Sequence, residues 1–288
     1  MDLFLSQALN GLVYGILLFL LAAGLSMIFG LLGVVNLAHG SFFMLGAFIG
    51  LSVMQITGSF WLAMLLAPIP VGLVAAAIEM FFLRRLYRRD RLDQVLLTFG
   101  FSFIFTDLVE TVWGRDVLAI DEPPSLQNSI EFLGGFYPSY RLALLGFGLL
   151  VAFVLWRIVE HTRAGAMVRA GVDDPASAMG IGLNVPLLLT STFALGGALA
   201  GLAGVVAGTI LGVYSGLDIE VLIPAFIVVV VGGLGSLKGA FFGSLLIGMT
   251  DTLGRAYLPD MAMFLTYLML IAVLLFRPAG LFGIAQPQ

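Results

Sequence analysis

The chain has 288 residues, of which 60% are hydrophobic and 10% charged, with a net charge of -4 and a mean hydropathy of +1.10. Soluble domains carry about 25% charged residues, and a chain with so little charge lacks the polar groups to cover a water-facing surface. The composition therefore excludes an ordinary soluble protein and indicates an integral membrane protein. The absence of cysteine excludes disulfides and thiolate metal sites.

The apolar stretches predict the transmembrane helices in chain order, since a span needs about 20 apolar residues. The first stretch follows one early charge, Asp2, and is long enough to span, so we interpret it as a retained helix. The candidate spans are 7–30, 40–57, 60–82, 94–113, 142–160, 185–213 and 262–277. The region 221–254 is also apolar but is interrupted at 232–239, and it could form two tilted spans or a re-entrant pair.

These stretches predict an all-α integral membrane protein with about eight transmembrane helices, built as a single domain over residues 1–288. In the span 185–213, glycines are spaced by four in two runs, Gly197 to Gly201 and Gly204 through Gly208 to Gly212. Small residues at such spacings let another helix backbone approach closely, so this span is expected to pack tightly in the bundle.

Basic residues predict the orientation, because basic loops stay in the cytoplasm. Arginines cluster at 84–91 and at 157–169, and Lys238 and Arg277 would lie on the same side. Ten of the 13 basic residues would then be cytoplasmic. We therefore expect the N-terminus outside and the C-terminus in the cytoplasm. The outer loop at about 114–140 is acidic, and is either a solvated connector, with room for a short hairpin, or part of a docking surface for an external protein.

The inner loop at about 161–184 carries two sets of helix-capping signals. Arg163 to Gly171 predicts a short helix ending at a glycine C-cap. Asp174 and Pro175 predict the N-cap and first residue of a second short helix, which Gly180 ends. The loop is therefore either a compact knob that inserts into a groove on another protein, or a loop ordered only by its own caps.

Polar residues within apolar regions are candidates for the transport pathway, because buried polar groups in membranes are costly. Asn36 and His39, followed by Ser41, lie at a break between the first two spans. They either satisfy backbone groups freed by the break or border a translocation pathway. Asp107 and Glu110 lie in the outer half of one span, on one helical face, where they could border the outer mouth, pair with Arg115 or lie among lipid headgroups.

Other acidic residues have simpler interpretations. Glu79 precedes the basic loop and is expected to pair with Arg84 or Arg85. Asp218 and Glu220 are expected to mark an outer helix end. The two histidines are far apart in the chain, and no catalytic triad or metal site can be assembled from the sequence. The phosphate-loop motif GxxxxGK[ST] is also absent, so this chain is not expected to hydrolyse ATP or to be an enzyme.

Three stretches carry a family resemblance: Gly33 to Ser41 (GVVNLAHGS), the inner loop, and Gly232 to Ala240 (GGLGSLKGA). With these stretches, the chain resembles the branched-chain amino acid ABC transporter permease family of the LivH type. The resemblance covers nearly the whole chain. It implies that the inner loop is a coupling loop that contacts an ATPase through Arg163, Met167, Arg169, Gly171, Asp174, Pro175 and Gly180.

The resemblance also implies the partners: a second homologous permease, two ATPases and a soluble extracytoplasmic binding protein, in a bacterial-type plasma membrane. ATP and magnesium would be bound by the ATPases, so no cofactor is expected in this chain. The expected function is half of the translocation pathway for branched-chain or related amino acids. The alternative is a secondary transporter driven by an ion gradient, which would use mid-depth carboxylates and broken helices. An intramembrane enzyme would need convergent catalytic groups, which the sequence does not offer.

Overall fold

The computed structural model describes residues 3–33, 35–87, 89–132 and 135–283, so Arg88 of the basic loop lies outside the described residues. As predicted, the protein is built from α-helices, joined in one place by a short β-hairpin. The helices are α1 (Leu3–Leu32), α2 (His39–Thr57), α3 (Phe60–Leu66), α4 (Pro68–Phe81), α5 (Arg91–Trp113), α6 (Ser139–His161), α7 (Arg163–Asp173), α8 (Pro175–Gly180), α9 (Val185–Leu211), α10 (Leu217–Gly232), α11 (Leu237–Tyr257) and α12 (Ala262–Phe276).

Seven helical segments within the described ranges are long and apolar enough to cross a membrane. They are α1, α2, the joined α3 and α4, α5, α6, α9 and α12. The helices α10 and α11 form a further apolar pair that bends by 119° at its break. Seven spans and one bent pair confirm the prediction of about eight transmembrane helices with one broken segment near 221–254.

Glycines make the break between α10 and α11. Gly233 and Gly235 have φ values of +107° and +79°, which side chains with a Cβ rarely adopt, and Ser236 then caps α11 by accepting from the Gly239 amide at 3.0 Å. Beyond the break α11 runs antiparallel to α1: Gly235 contacts Gly30 at one end, and Met249 contacts Gly11 at the other. The chain thus folds back at the break, and α11 lies beside most of α1.

The helix α9 lies at the centre of the bundle, between α1, α2 and α4. A Cβ added to Gly46 of α2 would lie 2.2 Å from the Gly201 carbonyl oxygen, and one added to Gly204 would lie 2.0 Å from the Phe43 carbonyl oxygen. These distances are far below van der Waals contact, so the two backbones touch directly. The expected tight packing of the glycine-rich span is confirmed.

The segment between α5 and α6 contains the hairpin, with β1 (Ser129–Phe132) antiparallel to β2 (Gly135–Pro138). Before the hairpin, the segment is pinned to the bundle, since Leu118 forms a β-bridge with Val213 and the buried Ile120 packs against Gly208. We call this end of the molecule the hairpin face. The opposite end, which carries α7 and α8, is the knob face.

Candidate functional site

A buried carboxylate in the first turn of α10 organises the interior polar cluster. Asp218 is 1% exposed, and its Oδ2 accepts hydrogen bonds from Ser41 and Ser102, both at 3.0 Å, and from Thr106 at 3.4 Å. Its Oδ1 has no partner, and no basic side chain pairs with it among the described residues. We call Ser41, Ser102, Thr106 and Asp218 the hydroxyl–carboxylate cluster.

The position of Ser102 in α5 shows how deep this cluster lies. Ser102 is midway between Arg91 and Trp113, the two ends of α5. A carboxylate bonded to Ser102 therefore lies near the middle of a membrane-spanning helix. Asp218 does mark a helix end, as predicted, but this end of α10 is buried at mid-depth and not at the outer surface. The chain enters the interior through a non-helical connector, in which Gly212 and Gly216 have φ values of +81° and +97°. An intramembrane carboxylate of this kind is a candidate functional residue.

Asn36 and His39 hold the chain where it re-enters the bundle between α1 and α2. Both side chains are fully buried. The Asn36 Oδ1 accepts from the Ala38 amide at 3.1 Å, and the His39 Nε2 lies 3.0 Å from the Leu21 carbonyl oxygen. The chain therefore returns from the end of α1 to the depth of Leu21 before α2 begins. This re-entry places Ser41 within reach of Asp218, and so brings two separate polar regions of the sequence together.

The helix α5 is attached to the bundle by a row of polar contacts on one face. Thr98 accepts from the Leu37 amide at 3.2 Å. At greater distances along α5, Ser102 bonds to Ser41 at 3.1 Å and Trp113 donates to Ser52 at 2.7 Å. These bonds join α5 to α2 and the segment before it. The face that contacts the bundle is therefore hydroxyl-rich.

The opposite face of α5 is exposed and carries a charge. Phe103, Ile104 and Leu108 are exposed there, together with Asp107. Asp107 and Glu110 were expected on one face, but among the described residues only Glu110 forms an ion pair, with Arg115 at 2.7 Å. A carboxylate facing lipid tails would be costly. The Asp107 face of α5 is therefore expected to meet water or another protein.

Two short helices form a knob between α6 and α9. The Thr162 hydroxyl caps α7 by accepting from the Gly165 amide at 3.2 Å, and the Asp174 carboxylate caps α8 by accepting from the Ser177 amide at 3.0 Å. The second helix ends at Gly180, as expected. The expected C-cap at Gly171 is wrong, because α7 continues to Asp173.

Packing against α9 explains why Gly171 stays helical. Gly171 is buried, and a Cβ added there would lie 3.6 Å from Leu188 and 3.9 Å from Val185. The Arg169 guanidinium is also engaged within the chain, since it donates to the Val159 carbonyl oxygen at the end of α6. These two predicted coupling residues therefore shape the knob. Of the other predicted contact residues, Arg163 and Met167 are exposed.

The sequence analysis missed the apolar tip of the knob. Met179 and Ile181 are exposed at the end of α8 and just beyond it, close to the exposed Met167 in the chain. Exposed apolar side chains beside charged ones are typical of protein contacts. The signal in the sequence was the alternation of apolar residues and glycines in Met179-Gly180-Ile181-Gly182.

A buried ion pair anchors α9 at the knob face. Glu79 is fully buried and forms the expected pair with Arg84 at 2.9 Å, while it also accepts from Tyr87 at 2.8 Å and Thr190 at 2.5 Å. Arg84 donates to the Pro186 carbonyl oxygen as well. The end of α4 is thereby tied to the first turns of α9, directly after the knob. Any movement of the knob would reach the bundle through this network.

Comparison with known proteins agrees with this arrangement. The chain is 30% identical to the high-affinity branched-chain amino acid transport system permease protein LivH of Salmonella typhimurium, over 97% of this chain and 96% of LivH. It is 32% identical to the permease protein BraD of Pseudomonas aeruginosa, over 97% of this chain and 96% of BraD. The permease protein LivM of the same Salmonella strain is 26% identical over 93% of this chain and 68% of LivM.

Among solved structures, PsaBC from Streptococcus pneumoniae in complex with Fab is similar in fold, with a TM-score of 0.50 and 17% identity over 96% of this chain and 91% of that chain. A protein-family model described as the permease component of the branched-chain amino acid transport system matches residues 7–274. The matched range includes the hydroxyl–carboxylate cluster, the knob and α5. The chain is a multi-pass membrane protein that belongs to the family of branched-chain amino acid transport permeases.

Proposed function

We propose that this chain is the permease subunit of an ATP-binding cassette importer for branched-chain or related amino acids. The single observation that carries the proposal is the knob, whose capped helices leave Met167, Met179 and Ile181 exposed. An apolar tip on a rigid base suits insertion into a groove on an ATPase. Family membership supports the same assignment. This subunit is then a transport component, and a separate ATPase subunit hydrolyses ATP.

The proposed coupling surface combines the residues implied by the resemblance with those at the tip. Arg163 and Met167 would contact the ATPase directly, together with Met179 and Ile181. The remaining predicted residues, Arg169, Gly171, Asp174, Pro175 and Gly180, would position these side chains, since they cap, pack or end the two helices. Arg169 and Gly171 are poor choices for a docking test, because substituting them would disturb the knob itself.

The partners in this proposal are two ATPases that bind ATP and magnesium, a second permease and a soluble extracytoplasmic binding protein. The similarity to both LivH and LivM of one strain supports a second, homologous permease. The knob face would lie in the cytoplasm, with the N-terminus outside and the C-terminus inside a bacterial-type plasma membrane. The basic residues at the knob face support this orientation.

The proposed pathway runs along α5, between this subunit and its partner permease. The exposed Asp107 supports a water-lined outward face. Behind it, Ser41 and Ser102 join α5 to Asp218, while Asn36 and His39 hold the start of α2 in place. Breaking and re-forming these hydroxyl contacts would let α5 move between two states, as alternating access requires. The hydroxyl–carboxylate cluster would then be part of the structure that opens and closes the pathway.

The docking role is tested with Ile181→Asp, which places a charge at the tip of the knob. In membranes containing the complete transporter, we expect the ATPases recovered with the tagged permease to fall about ten-fold or more, since burying an unpaired charge in an interface costs several kcal/mol. Ile130→Asp is the matched control, because Ile130 is also an exposed isoleucine but lies on the hairpin face. Equal ATPase recovery with both variants would contradict the proposal.

A secondary transporter remains the second candidate, because Asp218 is a mid-depth carboxylate and helices are interrupted between α1 and α2 and between α10 and α11. The two functions differ in their energy source. Proteoliposomes holding the purified complex should take up leucine only when ATP is supplied on the ATPase side. Uptake that needs a proton or sodium gradient, and proceeds without ATP, would favour the secondary transporter.

A further inference from the structure

A cavity of about 450 Å³ opens at the hairpin face, between α1, α6, α9, α10 and α11. Its wall along α1 runs from Gln7 to Leu17, which is about 15 Å at the helical rise. Glu220, from the first turn of α10, also lines it. The cavity therefore extends from the hairpin face toward the depth at which α10 begins. Solute-sized sites typically have volumes of a few hundred Å³, so this cavity is large enough to hold one.

The cavity carries unpaired charges of both signs. Arg141 donates to Asn10 Oδ1 at 2.6 Å but has no carboxylate partner among the described residues. Glu220 accepts from the Tyr214 hydroxyl and forms no salt bridge among those residues, although Arg255, which also lines the cavity, interacts with it electrostatically from a greater distance. By contrast, Asp251 is already paired, with Arg255 at 2.8 Å. The charges left for a ligand are therefore one guanidinium and one carboxylate.

Tyr214 orients the Glu220 carboxylate by donating a hydrogen bond to it. Burial, together with the hydrogen bond to Glu220 and the charge of that carboxylate, raises the pKa of Tyr214 to about 12. Its hydroxyl is therefore protonated at neutral pH and donates to Glu220.

Part of the remaining cavity wall is apolar, beside the polar residues Gln7, Asn10 and Thr252. Val13 and Leu17 from α1 face Ile210 and Leu211 from the end of α9 across the same space. An aliphatic surface of this kind favours a hydrocarbon group. The cavity thus combines a guanidinium, a carboxylate and an aliphatic surface, which complement the carboxylate, ammonium and side chain of an aliphatic amino acid.

We propose that the hairpin-face cavity binds a free amino acid with an aliphatic side chain, through Arg141 at its carboxylate and Glu220 at its ammonium group. The inference rests on the proposed function and adds to it a solute site on the permease itself. Glu220 and Asp218 lie two residues apart and so point to nearly opposite sides of α10. One helical turn therefore separates the cavity from the hydroxyl–carboxylate cluster, and a shift of that turn would connect the two.

The test is equilibrium binding of radiolabelled leucine to the complete transporter in nanodiscs of phosphatidylcholine, without ATP and without the binding protein. Glu220→Gln and Arg141→Gln should each weaken binding about ten-fold or more, the effect of losing one charge-assisted hydrogen bond. The matched controls are Glu131→Gln and Arg115→Gln, which lie on the same face outside the cavity. Both should bind leucine as the unmodified protein does.

Selectivity separates recognition from a merely structural effect. The unmodified site should reject 4-methylpentanoate, which lacks the ammonium group, and 3-methylbutylamine, which lacks the carboxylate. Glu220→Gln should lose most of the preference for leucine over 4-methylpentanoate and keep the preference over 3-methylbutylamine. Arg141→Gln should show the reverse pattern. A misfolded cavity would lose both preferences together, and that result would overturn the assignment of the two charges.

Two results would overturn the inference while leaving the proposed function intact. One is ATP-driven leucine uptake that stays normal in Glu220→Gln and Arg141→Gln. The other is a cavity that holds phosphatidylethanolamine and binds no leucine. Mass spectrometry of complexes from native membranes would then detect the lipid with the unmodified protein and not with either variant. Conversely, leucine binding that depends on both residues, without any ATP-driven uptake by the unmodified complex, would support the site and reject the proposed function.

Discussion

At the scale of single residues, Asp218 is the most unusual side chain in the bundle. Burying a carboxylate in a membrane interior is costly, and three hydroxyls stabilise it only in part, since Oδ1 has no partner. Apolar residues could fill the same volume at lower cost. The buried carboxylate is therefore a candidate for a role in transport, and the contacts with Ser41 and Ser102 identify the helices that would be involved.

We predict that Asp218→Asn and Ser41→Ala each lower ATP-driven uptake about ten-fold or more while the complex still assembles. Asparagine retains an oxygen acceptor but not the charge, whereas alanine at position 41 removes one donor from the carboxylate. Ser244→Ala is the matched control, because Ser244 is also fully buried but bonds to the Phe241 carbonyl oxygen of its own helix, at 2.8 Å. Uptake is measured in proteoliposomes with ATP supplied.

Normal uptake by Asp218→Asn would show that the carboxylate serves only as a hydrogen-bond acceptor. A loss in Ser244→Ala equal to that in Ser41→Ala would mean that any buried serine matters, and would contradict a specific role for the hydroxyl–carboxylate cluster.

The difference between prediction and structure is clearest at these residues. Two features followed from local sequence, because neighbours in the chain determine them. They are the pairing of Glu79 with Arg84 and the position of Ser41 just after the break between the first two spans. Asp218 did not, because an acidic residue two positions after a glycine looks like the start of a surface helix. Its burial depends on where the connector from Gly212 to Gly216 meets α2 and α5, which is a tertiary property. The glycines of that connector were the available signal.

At the scale of helices, hydropathy and capping residues predicted most elements correctly. The spans and the break before α11 follow from apolar length and glycine placement, and the two knob helices follow from their caps. Gly171 shows the limit of this reasoning. Its local signal favours a helix end, yet packing against Val185 and Leu188 of α9 keeps it helical. Tertiary contacts thus override local capping preference at that position.

Close approach of α2 and α9 predicts a strong position dependence for glycine substitutions. Gly46→Ala would force the new Cβ to within 2.2 Å of the Gly201 carbonyl oxygen, so the helices must separate. We expect the free energy of unfolding to fall by about 1–3 kcal/mol, as in other overpacked cores. The measurement is thermal unfolding of the purified protein in detergent.

Gly146→Ala on α6 is the matched control, since nothing lies within 4 Å of a Cβ there. Alanine is a better helix former than glycine, so this variant should be neutral or more stable by up to about 1 kcal/mol. Equal destabilisation by both substitutions would contradict the direct contact between α2 and α9.

At the scale of the whole molecule, the two ends of the bundle differ in chemistry. The knob face carries the arginine clusters, the Glu79 network and the apolar tip formed by Met179 and Ile181. The hairpin face carries the acidic connector and the mixed-charge cavity. A transporter needs such a difference, because solute arrives at one face and the energy of ATP at the other. The proposed orientation assigns solute entry to the hairpin face and ATP-driven movement to the knob face.

The absence of cysteine makes this orientation directly measurable. Asp121→Cys, in the connector at the hairpin face, should react with a membrane-impermeant maleimide in intact spheroplasts. Ser177→Cys, in α8 of the knob, should react only in inverted vesicles or after permeabilisation. Both residues are exposed, so access and not burial decides the outcome. Labelling of Ser177→Cys from outside, with Asp121→Cys protected, would reverse the orientation and place the proposed ATPase contact on the wrong side of the membrane.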